Sequence, residues 1–242
     1  MDILNFPLYY IAFNQSDLIE SHYRIYGFKN VNHFKAVNGR KMDLKKLLED
    51  GVISIQIYED ILYGRESHKG MPTMGGIGCT LSHYELWKKC VDEDLPYIII
   101  VEEDNRMHKK LSSKDLYNIE NAIAKSTGIF VSVNPHTRGN YGFFGLHFNV
   151  MSQGACKALV DNAFPIDVQT DWYMGHIARM GKVTIEGYPV SSQDNAWGST
   201  IQAPGLKPFL PKENWIYFTV IAIFIVLIVV IVYLIKRSRN CK

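Results

Sequence analysis

Gly78-Cys-Thr-Leu-Ser-His83-Tyr-Glu-Leu-Trp87, then Leu95-Pro-Tyr-Ile-Ile-Ile-Val101, then Glu102-Glu103-Asp104 follow one another near the middle of this chain. Cys79, His83, Leu86, Trp87 and Cys90 recur at i, i+3 and i+4 spacing, which predicts a helix from about Thr80 to Asp92 with one buried face. The run from Tyr97 to Val101 is apolar on every residue, the pattern of a strand covered on both sides. Carboxylates at the carboxyl end of such a strand sit where open α/β sheets bind ligands. In an extended segment residues i and i+2 point the same way, so Glu102 and Asp104 are expected to face one hard divalent cation while Glu103 points elsewhere. A solvated acidic strand end is the alternative reading of the same triplet.

Working outward, Leu8–Phe13 and Val31–Val37 read as buried strands, and Asn38-Gly39 closes the second with a turn signal. Helical spacing runs over 17–26, 43–50, 113–125, 152–162 and 171–180, with further strands at 128–133 and 182–188. Residues 63–78 carry Gly64, Gly70, Pro72, Gly75, Gly76 and Gly78 and are expected to form a loop. Gly75-Gly76-Ile77-Gly78 lacks the ending of a P-loop. Strands alternating with helices predict an α/β domain with a largely parallel sheet and helices on both faces.

The last part of the 242-residue chain is different in kind. No charged residue occurs from Trp215 to Ile235, and about 20 apolar residues suffice to cross a bilayer. Trp215, Tyr217 and Tyr233 stand where interfacial aromatic belts are found. The expected organisation is a domain over 1–204, a Pro-rich linker over 205–214, a transmembrane helix over 215–235 and a basic tail over 236–242. Without the four basic residues of that tail the chain has 22 basic against 24 acidic residues, which argues against nucleic acid as a partner. The start, Met1-Asp-Ile-Leu-Asn-Phe-Pro7, has no basic n-region and no long apolar h-region. A single-pass C-terminal anchor with a cytosolic domain is therefore expected. The alternative is a lumenal domain, in which Asn14-Gln15-Ser16 would be a glycosylation sequon. Cys79, Cys90, Cys156 and Cys241 show no CxxC spacing, which argues against a zinc motif.

The central block resembles glycosyltransferase family 25, whose members include bacterial lipooligosaccharide and collagen galactosyltransferases. Gly78-Cys-x-Leu-Ser-His83-x-x-x-Trp87, about 15 residues before Val101-Glu-x-Asp104, carries the resemblance. Ala36-Val-Asn-Gly39, Ser152-Gln-Gly-Ala155, Pro165-Ile-Asp167, Pro189 with Gln193, and Ser199-Thr-Ile201 support it in order, so that it covers roughly Leu8 to Ile201. It implies a GT-A-type, Rossmann-like single domain and an inverting transfer of a hexose, galactose or glucose, from a UDP-sugar to a glycan, lipid-linked or protein acceptor. Glu102 and Asp104 would hold Mn²⁺ or Mg²⁺ against the diphosphate. Ser82, His83, Glu103 and Gln193 would serve the donor site. Asp167, or second Asp171, would take the acceptor's proton. Two departures stand out: the family's Glu-Asp-Asp is Glu102-Glu103-Asp104 here, and Phe13-Asn-Gln-Ser-Asp17 stands where an Arg-rich Leu-x-Arg-Arg often follows the first strand. A catalytically degenerate transferase fold used as a membrane-anchored scaffold and a metal-dependent phosphohydrolase are the competing readings.

Overall fold

The computed structural model describes residues 2–64, 71, 73–132 and 146–193. Six strands form the main sheet in the order β2-β1-β3-β6-β5-β7: β1 Pro7–Ala12, β2 Asn30–Lys35, β3 Tyr97–Glu102, β5 Gly128–Val131, β6 Phe148–Ser152 and β7 Thr184–Gly187. All neighbours pair in parallel except β6, which runs antiparallel to both β3 and β5. Two short strands, β4 Asn105–Met107 and β8 Ser191–Gln193, form a separate antiparallel ribbon beyond the end of β3.

Period-2 alternation of β3 divides the core between the two faces of the sheet. Ile99 and Val101 join Leu8 and Tyr10 under α1 (Asp17–Ile25) and α5 (Ser113–Ile123). Ile98 and Ile100 join Leu86, Trp87 and Cys90 of α4 (Met74–Asp92), together with α6 (Gln153–Val160) and α7 (Thr170–Arg179). A third cluster, containing Leu47, Ile53, Ile57 and Ile77, packs α2 (Leu44–Glu49) and α3 (Ile55–Tyr63) against the start of α4. Side-chain oxygens of Ser16, Asp43, Ser54, Thr73, Ser112 and Ser152 accept from otherwise unpaired N–H groups and start six of the seven α-helices among the described residues.

Three expectations change. The helix of the central block begins at Met74, not near Thr80, so Gly75, Gly76 and Gly78 are helical rather than part of a loop. Residues 55–63 form α3, for which no helix was expected. Phe148–Ser152, for which no strand was expected, supplies the antiparallel strand β6. Gly78 has a steric reason. A β-carbon on Gly39 would lie 1.8 Å from the Met74 carbonyl oxygen, and one on Gly78 would lie 2.4 Å from the Val37 oxygen and 2.6 Å from the Gly39 nitrogen. Two backbones thus touch where neither tolerates a side chain. Ser82 fastens the contact: its hydroxyl accepts from Val37 N–H (2.9 Å) and donates to the Gly78 carbonyl (2.7 Å).

The expected linker, membrane span and basic tail lie outside the described residues, as does Ser199-Thr-Ile201; no described helix is long and apolar enough to cross a membrane. Gly78→Ala should force the start of α4 off the 36–39 segment. A loss of about 1–3 kcal/mol is expected for such overpacking, read as a drop of several degrees in melting temperature. An unchanged melting temperature would contradict the close packing.

Candidate functional site

Strand β3 ends on Glu102, and the alternation that places Ile98 and Ile100 on the α4 side places Glu102 there as well. Cys79 and His83, one turn apart on α4, meet it. Glu102 Oε1 lies 3.4 Å from His83 Nε2 and 3.6 Å from Cys79 Sγ. His83 is fully buried, while the Glu102 side chain keeps 15% of its surface exposed. Burial pushes the Glu102 carboxyl up. The hydrogen bond and charge of His83, with His147 and the Cys79 thiol, outweigh that push and leave the group below the usual carboxylate range. Burial raises the Cys79 thiol well above its ordinary value, and the charges of Glu102 and Asp171 add to the effect.

The extended geometry stops at Glu102. Glu103 and Asp104 form a turn before β4, so the i, i+2 relation expected of Glu102 and Asp104 does not continue through the triplet. Asp104 folds inward to 7% exposure, and its Oδ2 accepts from Gln193 Nε2 on β8 at 2.6 Å. Its Oδ1 has no hydrogen-bond partner among the described residues. Burial first, and the neighbouring Glu102 charge second, push the Asp104 carboxyl up to about 6, against the pull of Gln193. Glu103 is half-buried, and its carbonyl accepts from Arg106 at 2.8 Å.

Ser82 and His83 occupy different surroundings despite being adjacent. Ser82 is spent on the Val37–Gly78 contact, whereas His83 faces Glu102. The two candidate bases also separate. Asp171 stands in the first turn of α7, which the Thr170–Thr80 hydroxyl bond (2.7 Å) ties to α4, and its charge reaches the Cys79 thiol. Asp167 is exposed next to Ile166, which bridges to Ile53, and its charge acts on Tyr173. The residues brought together are therefore Cys79, His83, Glu102, Asp104, Asp171 and Gln193.

Sequence reasoning placed Cys79 in the core and passed over His147, whose carbonyl accepts from Glu102 N–H at 3.0 Å. Burial lowers the pKa of His147, against the pull of Glu102 and of the Ser191 backbone. Cys79 could have been found from its i, i+4 relation to His83. His147 had no such signal, because its place depends on the antiparallel insertion of β6.

The donor set fits a divalent cation in one respect, since the buried Asp104 Oδ1 is an oxygen without a donor among the described residues and the partly open Glu102 carboxylate is near enough for its charge to act on Asp104. Comparison with known proteins gives this arrangement a context. The profile of glycosyltransferase family 25 (LPS biosynthesis protein) matches residues 20–133. Over these residues the chain is similar to family 25. A glycosyltransferase 25 family member of Drosophila melanogaster is 30% identical over 155 residues, 56% of this chain and 24% of that one. Human procollagen galactosyltransferase 2 is 26% identical over 155 residues, again 24% of its length. A rat protein described as probable inactive glycosyltransferase 25 family member 3 is 35% identical over 197 residues, 74% of this chain and 32% of that one. The chain thus spans a quarter to a third of the length of these relatives. The family 25 match contains Cys79, His83, Glu102 and Asp104 and ends before His147, Asp167, Asp171 and Gln193.

The raised Asp104 carboxyl has a measurable sign. A folded-state pKa of about 6 against an ordinary 3.8 means that stability is fully present below pH 4 and falls as the pH rises through 6. In chelator, Asp104→Asn should be more stable than the parent at pH 8 by about 1–2 kcal/mol, after discounting for partial solvation. The difference should vanish at pH 4. Denaturant unfolding of both proteins at the two pH values checks this, and an Asn variant less stable at pH 8 would contradict it.

Proposed function

We propose that this chain is a family 25 glycosyltransferase domain that moves a hexosyl group from a UDP-sugar to an acceptor hydroxyl, with a divalent cation held by Glu102 and Asp104. One observation carries the reading: at the carboxyl end of β3 the partly exposed Glu102 and the inward-folded Asp104 lie near enough for the charge of the first to raise the carboxyl of the second, beneath the helix of the family 25 match that contains Cys79 and His83. Bound there, Mn²⁺ or Mg²⁺ would supply charge stabilisation to the departing diphosphate.

The chain's own residues divide the remaining work. His83 keeps Glu102 ionised, and Gln193 orients Asp104 through Oδ2, leaving Oδ1 for the cation. Ser82 positions α4 rather than touching donor, through its bonds to residues 37 and 78. Glu103, half-buried at the turn, would serve the donor from the same segment. For the base we favour Asp171 over Asp167, because α7 is tied to α4 beside the Cys79–Glu102 pair. In the transfer the acceptor oxygen loses its proton to this carboxylate and forms a bond to the anomeric carbon. The bond from that carbon to the diphosphate oxygen breaks, and the nucleoside diphosphate leaves with the electron pair. A single in-line displacement inverts the anomeric centre.

Galactose or glucose as the hexose, and a glycan or glycoconjugate as the acceptor, are part of the proposal. So is anchoring at a membrane through residues 215–235 with the domain on the cytosolic side, for which protease protection in sealed vesicles is the check. The relative described as probable inactive supports a second reading, a domain that keeps the fold and binds without turnover.

A screen of UDP-, GDP- and CMP-sugars with Mn²⁺ present should show turnover with a UDP-hexose. Asp171→Asn should lower kcat by 10²-fold or more, in the range of a lost general base, while Asp167→Asn should change it less than threefold. Donor binding without turnover of any sugar would favour the second reading, and an Asp167→Asn effect larger than that of Asp171→Asn would reverse the assignment of the base.

A further inference from the structure

Cys79, His83 and Glu102 do more than surround a carboxylate. Their ligating atoms, one sulfur, one nitrogen and one oxygen, all lie within 4.8 Å of one another. The spacing between them is the telling quantity. A zinc ion holds sulfur at about 2.3 Å and oxygen or nitrogen at about 2.0–2.1 Å. At tetrahedral angles those bonds put sulfur and oxygen about 3.5 Å apart and nitrogen and oxygen about 3.3 Å apart. The observed separations are 3.6 Å for Cys79 Sγ to Glu102 Oε1 and 3.4 Å for His83 Nε2 to Glu102 Oε1. Two edges of a coordination tetrahedron are therefore already formed.

The scaffold behind this triad is rigid. Cys79 and His83 are one turn apart on α4, and Gly39, Gly78 and Ser82 lock that turn to the 36–39 segment. Glu102 belongs to β3, which pairs with β1 on one side and β6 on the other. Access is partial, since Cys79 is half-buried and the Glu102 side chain keeps 15% of its surface exposed. The chemistry of the set also differs from that of the Glu102–Asp104 pair. Thiolate and imidazole favour borderline ions of the zinc class over Mg²⁺ and Mn²⁺, which prefer oxygen.

We infer that Cys79, His83 and Glu102 form a three-ligand site for a zinc-class divalent cation, with a fourth position open to water or a bound anion. On binding, the Cys79 thiol gives its proton to solvent and sulfur donates to the ion. Because Glu102 is common to both sets, an ion seated here competes with the hard cation for that carboxylate. This last consequence rests on the proposed transferase function, whereas the site itself rests on geometry alone.

Cobalt(II) serves as the probe, added to the chelator-stripped full chain. The expected result is a near-ultraviolet thiolate-to-cobalt charge-transfer band that saturates at one equivalent. One further equivalent of Zn²⁺ should bleach the band, and a hundredfold excess of Mg²⁺ should not. Cys79→Ser should remove it and Cys241→Ser should leave it intact. In the unsubstituted protein, Zn²⁺ should slow alkylation of Cys79 by iodoacetamide at least tenfold, as read by peptide mass spectrometry. No band in the intact chain, a band that survives Cys79→Ser, or equal alkylation with and without zinc would each overturn the site. None of these readouts depends on sugar transfer, so a failed donor screen leaves the site standing and a missing band leaves the transferase reading standing.

Discussion

The contact between Gly39 and Gly78 is the constraint on which the site depends. Helix α4 must lie against the segment following β2 with no side chain between the two backbones, and both glycines are placed where a β-carbon would collide with backbone. That approach sets the height of α4 relative to the sheet, and so decides which of its turns faces the end of β3. Ser82 secures the approach with two hydrogen bonds in a buried setting, where each counts for more than at the surface. The residues that follow each of these, Cys79 after Gly78 and His83 after Ser82, then meet Glu102. Two sequence blocks some 40 residues apart, around Gly39 and around Gly78, are two sides of one contact.

With this geometry fixed, the two carboxylates acquire different characters. Glu102 is half-buried but supplied with partners, and its carboxyl lies below the ordinary range. Asp104 is buried with a single amide donor and shares its surroundings with the Glu102 charge, so its proton is held more tightly. A protein that needed only stability would gain nothing from this arrangement, because burying a second acid beside a first is costly. A bound cation reverses the sign of that cost, which is the physical argument for placing one between them.

Much of this was legible in the sequence, for reasons that differ from place to place. β3 could be read because an all-apolar run ending in acids has few other readings, whereas the shared facing expected of Glu102 and Asp104 stops at the turn of residues 103–104. The halves of the core followed from helical spacing in α4, α5 and α7. The first turns of α4 were misread because Gly75, Gly76 and Gly78 are poor helix formers by intrinsic preference, and the approach of Gly39, distant in sequence, is what makes glycine necessary at position 78. Residues 148–152 carry no signal of strand direction, so β6 was missed, and His147 with it. The preference between Asp167 and Asp171 turned on the Thr80–Thr170 hydroxyl bond, a contact between two helices that no local pattern encodes.

The central claim is that the carboxylates at the end of β3 bind a nucleoside diphosphate through a divalent cation. Thermal unfolding with UDP and Mn²⁺, alone and together, tests it most directly. Stabilisation by the pair that exceeds the sum of the separate effects, and that disappears in Asp104→Asn, is the predicted result. No shift with any nucleoside diphosphate, or an undiminished shift in Asp104→Asn, would contradict it.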